Sequence, residues 1–204
     1  NLYMYIGLIR PPADDLIRVK YRESEEVAKL DDLRHNLARA ALTHTGIDRM
    51  IEISSKADVS DGTGMGSSAS YLVGLLSALH TLKGENVSRR HLAEEAYDIA
   101  TGDLKLPDGK QDFYLASFGN FCVLDIAKNG SVTVSNADIS KGVQNEFEKR
   151  TLLFYTGVRR SSTEILREQE KHLRANKTDA MELKHAIKRI GRNILQVFES
   201  GELD

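Results

Sequence analysis

Asp61-Gly62-Thr63-Gly64-Met65-Gly66-Ser67-Ser68-Ala69-Ser70 runs directly into Leu72, Val73, Leu75, Leu76, Leu79 and Leu82. The second part has the spacing of an apolar helix, and the first alternates glycine with other residues just ahead of it. Alternating glycines let the backbone take positive φ and bring N–H groups close to an anion. A helix that follows aims its partial positive N-terminus at the same place. Ser67 and Ser68 add hydroxyls suited to a phosphate oxygen or a magnesium ion. The stretch therefore predicts a phosphate cradle, with a strand-to-helix turn that binds nothing as the open alternative. It is neither a P-loop, since no lysine follows Gly66, nor a dinucleotide fingerprint, since Met65-Gly66 breaks the required spacing.

Upstream, Leu2 to Arg10 is rich in Tyr, Met, Ile and Leu and stops at Pro11-Pro12. Leu16, Ile17, Val19 and Tyr21 follow, which predicts two strands joined by a turn at the edge of a sheet. A helix is expected from about Leu33 to Thr45, closed by Gly46, then a short strand Met50 to Ile53 that enters the glycine loop. Downstream, Ser88 suits the N-cap of a helix through Leu92, Ala93, Ala96 and Ile99, and residues 101–110 form a polar connection. Gly109-Lys110-Gln111-Asp112 opens a short segment, Phe113 to Phe118. Phe121 to Ile126 and Val132 to Val134 flank Asn129-Gly130, a hairpin signal that predicts continuation of the sheet. Thr151 to Tyr155 is expected as another strand, followed by helices over roughly 162–175 and 178–199 with a linker near Asn176-Lys177-Thr178.

The composition narrows the function classes. With 204 residues, 41% hydrophobic and 28% charged, the chain can bury a real core, and a net charge of −2 gives no electrostatic reason to bind nucleic acid. The single cysteine, Cys122, lies in an apolar run and is expected to be a small packed side chain, consistent with a reducing cytoplasm. No apolar run approaches a membrane span, and the first residues lack the pattern of a signal peptide. The chain begins at Asn1 inside a strand pattern and ends just after a helical one, as expected of a fragment. The six histidines show no metal-ligand spacing in sequence, and His172 and His185 fall on charged helical faces.

Taken together, Gly62 to Ser68, Leu79 to Gly84, Ala93-Glu94-Glu95-Ala96, Gly109-Lys110-Gln111-Asp112 with Tyr114 and Gly119, and Thr156-Gly157-Val158 with Arg160-Ser161 resemble the GHMP small-molecule kinases. Within that superfamily the resemblance is nearest to heptose 7-phosphate kinases and related sugar 1-kinases. It implies an α+β fold: an N-terminal domain like domain 2 of ribosomal protein S5 over residues 1–155, and a partial helical C-terminal domain over 156–204. The implied reaction is ATP-dependent phosphorylation of the anomeric hydroxyl of a sugar phosphate, with Mg²⁺, in the cytoplasm. A small-molecule sugar phosphate would be the partner, without nucleic acid or membrane, and a homodimer is left open.

By the same resemblance Gly62, Thr63, Gly64, Met65, Gly66, Ser67 and Ser68 would wrap the ATP phosphates, with Ser68 as magnesium ligand. Asp112 would take or orient the proton of the attacking hydroxyl, Lys110 and Gln111 would hold substrate or transition-state charge, and Tyr114 and Arg160 would contact substrate. Each assignment has a plain alternative: Asp112 as a helix cap, Lys110 as a solvated lysine, Arg159 and Arg160 as a solvated turn. The chain also departs from the family. Ser60 replaces a proline, the position of the magnesium-binding glutamate is Ala100, with Asp98 or Asp103 as substitutes, and the family's N-terminal sugar-binding strand and late glycine-rich motif have no counterpart. A catalytically impaired nucleotide- or sugar-binding module, another GHMP small-molecule kinase such as a fucose- or galactose-type 1-kinase, and a structural interaction domain are therefore the rival readings.

Overall fold

The structure, a computed structural model, describes residues 2–59, 61–158, 162–175 and 177–203. It divides into two compact units, the first built on Asn1–Gly119 and the second on Asn120–Val158 with Glu164–Asp204.

The first unit opens with β1 (Met4–Ile9), β2 (Ile17–Lys20) and β3 (Ser24–Val27), followed by α1 (Asn36–Thr45) and β4 (Ile51–Ala57). These strands form one sheet in the order β1-β4-β2-β3. The first two strands were expected to be neighbours across a turn. Instead β4 inserts between them, antiparallel to β1 and parallel to β2. The alternation of β2 and β4 explains the choice, because it places Ile17 beside Ile51 and Val19 beside Ile53, and all four are fully buried on one face. Each contributes on the order of 1.5–3 kcal/mol by leaving water.

β3 was not anticipated. Its Glu25 is buried, yet the carboxylate is satisfied by the Arg34 N–H at 2.7 Å, the His35 N–H at 3.0 Å and the Tyr21 hydroxyl at 3.1 Å. Burial opposes the charge, and these donors more than offset it, holding the carboxyl below its ordinary range. The same bonds fix the approach to α1, which starts at Asn36 rather than Leu33. His35 serves as its N-cap, and Gly46 closes it with φ of 70°.

α2 (Ser67–Lys83) is the central helix of this unit. Leu72, Leu75, Leu76 and Leu79 are fully buried, and the helix packs on α1, β1, α3 (Arg89–Asp98) and α4 (Lys110–Phe118). A Cβ on Gly74 would come within 3.2 Å of Ile6, so α2 lies against β1 at a spacing that suits glycine. Ser88 caps α3 as expected, accepting from the His91 N–H. The helix then widens into a π-type turn over Ile99–Asp103, which includes the buried Ala100, where a loose polar connection was expected.

The second unit contains β5 (Cys122–Ile126), β6 (Val132–Asn136), α5 (Lys141–Arg150), α6 (Ser162–Ala175) and α7 (Lys177–Ser200). β5 and β6 pair antiparallel around Asn129-Gly130, with Asn129 Oδ1 accepting from the Ser131 N–H, but they form a sheet of their own. Cys122 is half-buried. Thr151 to Tyr155 forms no strand, and Leu152, Leu153, Phe154 and Tyr155 are 62% to 79% exposed. The compact division falls at Gly119–Asn120.

Candidate active site

The glycine loop has the backbone its sequence predicts. Gly62, Gly64 and Gly66 have φ of 73°, 77° and 69°, all left-handed. L side chains avoid that region at a cost of about 1–2 kcal/mol per residue, so alternating glycines are its natural occupants. Gly66 is the N-cap of α2 and brings no side chain to that end, while the Ser70 N–H returns to the Gly66 carbonyl at 3.0 Å. The first-turn amides of α2 are therefore offered by backbone geometry behind a glycine cap. Thr63 is half-buried, Met65 is exposed, Ser67 is half-buried and Ser68 exposed.

Asp112, in the first turn of α4, meets this loop. A Cβ on Gly66 would stand 3.6 Å from its Cγ and Oδ2, so the space a side chain would take faces the carboxylate. Gln111 Nε2 donates to Asp112 Oδ1 at 3.4 Å. Asp108, which sequence reasoning passed over as part of the connection, is half-buried. Burial and then the charge of Asp112 push its carboxyl above its ordinary value. A glycine neighbour and a turn context left no signal to single it out.

Lys110 and Tyr114 turn elsewhere. Lys110 Nζ donates to both oxygens of Glu94, at 2.9 and 2.6 Å, and lies 5.1 Å from the centre of the Tyr97 ring. Tyr114 is fully buried and its hydroxyl donates to Glu94 Oε1. A substrate contact was expected of this tyrosine, whereas packing of α4 on α3 encloses it. Burial disfavours the Glu94 carboxylate, but the bonds from Lys110 and Tyr114 override it and hold it below the ordinary range. Tyr114 is pushed up to about 12 by burial and by Glu94. Lys110 therefore clamps the start of the helix that carries Asp112.

Ala100 is buried and offers no ligand atom, and Asp98 and Asp103 are exposed. Tyr71, also unforeseen, is buried on α2 with a hydroxyl that finds no partner among the described residues, its ring 4.9 Å from that of His35. Arg160, expected at a substrate phosphate, lies outside the described residues, as do Arg159 and Ser60.

Comparison with known proteins agrees with this architecture. Residues 32–120 match the GHMP kinases N terminal domain. It is 29% identical over 160 residues, 78% of its length, to D-glycero-alpha-D-manno-heptose 7-phosphate kinase of Campylobacter jejuni. The chain spans about half the length of that relative, 47%. Among solved structures, a Campylobacter jejuni protein assigned as a sugar kinase superposes with TM-score 0.70 at 25% identity, covering 100% of this chain and 64% of the other. A D-glycero-D-manno-heptose 1-phosphate kinase from Bacteroides thetaiotaomicron gives 0.66 at 22% identity, over 72% of this chain and 52% of its own. Mevalonate kinase shares the fold, with TM-score 0.53 at 14% identity, over 71% of this chain and 49% of its own.

Proposed function

We propose that the chain carries a GHMP kinase N-terminal domain and is the ATP-binding part of a sugar kinase. In this reading it phosphorylates the anomeric hydroxyl of a sugar phosphate, D-glycero-D-manno-heptose 7-phosphate, to the 1,7-bisphosphate. One observation carries the reading: three left-handed glycines lead to a helix N-terminus whose N-cap is itself a glycine, and Asp112 stands against the last of them. Phosphoryl transfer needs little covalent chemistry from the protein. Positioned amides and a base at the attacking oxygen supply most of what it requires.

The amides of Gly62 to Ser68 hold the donor phosphates, and Asp112 accepts the proton of the attacking hydroxyl. Lys110 acts through Glu94 to position α4. Magnesium, when bound, compensates phosphate charge, and the Ser68 hydroxyl is the ligand this chain supplies for it. Residues 1–155 form the ATP-binding domain and 156–204 the start of the C-terminal domain. The protein acts in the cytoplasm on a free small molecule, without a nucleic-acid or membrane partner. Among the described residues no helix is long and apolar enough to cross a membrane.

A second reading, an impaired module that binds nucleotide but turns over slowly, is favoured by one feature. Ala100 places a buried methyl group where the resemblance implies a metal-binding glutamate. Calorimetry of MgATP together with a coupled assay on the heptose phosphate separates the two. Binding with turnover supports the kinase, binding without turnover the module. Unchanged ATP affinity in Gly64→Val would sink both, because neither survives without the cradle.

A further inference from the structure

On the side of α2 away from its first turn, a buried carboxylate collects histidines from three helices. Glu95 of α3 is 8% exposed, and among the described residues each of its ion-pair partners is an imidazole. His80 of α2, 7% exposed, places Nε2 at 2.8 Å from Oε2 and 3.1 Å from Oε1. His44, in the last turn of α1, lies 3.3 Å from Oε1, and His91, one turn before Glu95 on α3, lies 3.7 Å from Oε2. Ligand atoms of His80, His91 and Glu95 all fall within 4.8 Å of one another. The other ring nitrogen of His80 is held by Glu85 at 2.6 Å, and Lys83 pairs with Glu85 at 2.9 Å.

A carboxylate this deeply buried needs compensating charge. Imidazoles can provide it by protonation or by sharing a cation, and the arrangement favours the cation. Two imidazole nitrogens and one carboxylate oxygen, with a fourth position left for water, form a donor set that suits zinc, whose ligands sit near 2.0–2.2 Å. A tetrahedron of that size has edges of about 3.4 Å, and the separations of 2.8 and 3.7 Å from Glu95 Oε2 to His80 and His91 bracket it. The Glu85 bond to His80 Nδ1 is the outer carboxylate–histidine contact that fixes a metal-ligating ring and leaves Nε2 facing the ion. His91 and Glu95 share one helix face by their spacing of four, and neither belongs to the glycine loop or to α4.

We propose that His80, His91 and Glu95 bind one divalent transition-metal ion of the zinc class, which clasps α2 and α3 together, with Glu85 orienting His80 and with His44 flanking the other carboxylate oxygen. On binding, the proton shared between His80 Nε2 and Glu95 is released to solvent.

The full chain, stripped by chelator and titrated with cobalt(II), tests this. One equivalent should bind with the visible ligand-field bands of tetrahedral coordination, and zinc(II) should displace it. His91→Ala removes an exposed side chain and should abolish those bands while leaving the fold intact. Glu85→Gln should weaken binding by about 10–100-fold, the usual effect of losing an outer partner. His172→Ala, on α6, should leave the titration unchanged. Absence of a stoichiometric tetrahedral cobalt complex in the folded parent overturns the site, and so does equal affinity in parent and His91→Ala. Either result would mean that Glu95 is balanced by protons alone.

Discussion

A Cβ on Gly66 would lie 3.6 Å from the carboxylate of Asp112, an ordinary contact distance, so steric clash is not what excludes a side chain there. The backbone is, because φ at Gly66 is 69°. Gly66→Ala should therefore fold with a loss of about 1–2 kcal/mol, seen as a fall in Tm of roughly 2–4 °C per kcal/mol for a chain of this size. ATP affinity, measured by calorimetry, should fall further than stability does. The loop must leave the left-handed region to relieve the strain and thereby withdraws its amides.

Asp112→Asn keeps the shape of the side chain and removes its basicity. Turnover in the kinase assay should drop by about 10²-fold or more while ATP binding persists. Equal turnover in variant and parent would take Asp112 out of the proton-transfer role.

Glu94 joins α3 to α4 through Lys110 and Tyr114, and its carboxyl is depressed in the folded chain. A depressed carboxylate stabilises the fold above its unfolded value, near 4.3, and that contribution disappears as pH falls through the folded value. The difference in Tm between parent and Glu94→Gln should thus be full at neutral pH and shrink in acid below about pH 4.3. A gap that persists unchanged at lower pH would mean that packing, not charge, carries the effect.

Glu25 accepts from both the Arg34 and the His35 amides at the mouth of α1. Glu25→Ala strands these donors in a buried place and should cost roughly 1–3 kcal/mol, readable in urea unfolding at unchanged m value. A change below the error of that measurement would show that water replaces the carboxylate freely.

Much of the first unit was legible because its signals are local. Glycine alternation, a leucine pattern of period 3.6 and the Ser88 cap each depend on a few adjacent residues, and α2, α3 and the loop appear where those residues put them. What stayed hidden depends on partners distant in sequence. Ser24-Glu25-Glu26-Val27 has no strand pattern, and it becomes β3 because Arg18 reaches Glu26 at 2.6 Å and the α1 entry satisfies Glu25. The helix α5 was missed because it buries no residue, although Ser140 offers an N-cap to the Val143 N–H. Asp112 was legible from its motif. The partner that turns Lys110 and Tyr114 inward, Glu94, lies on another helix, and no spacing rule within one helix reaches it.

Leu152, Leu153, Phe154 and Tyr155 combine aromatic and aliphatic side chains, no charge and wide exposure, with no neighbour among the described residues closing their backbone groups into a ladder. Such a stretch is a template for other chains. At high concentration it should seed intermolecular pairing, so the isolated chain would lose clarity in solution through this segment while its core stayed folded. A single charge at Phe154 would serve as a gatekeeper and slow that assembly without touching the glycine loop or the histidine cluster.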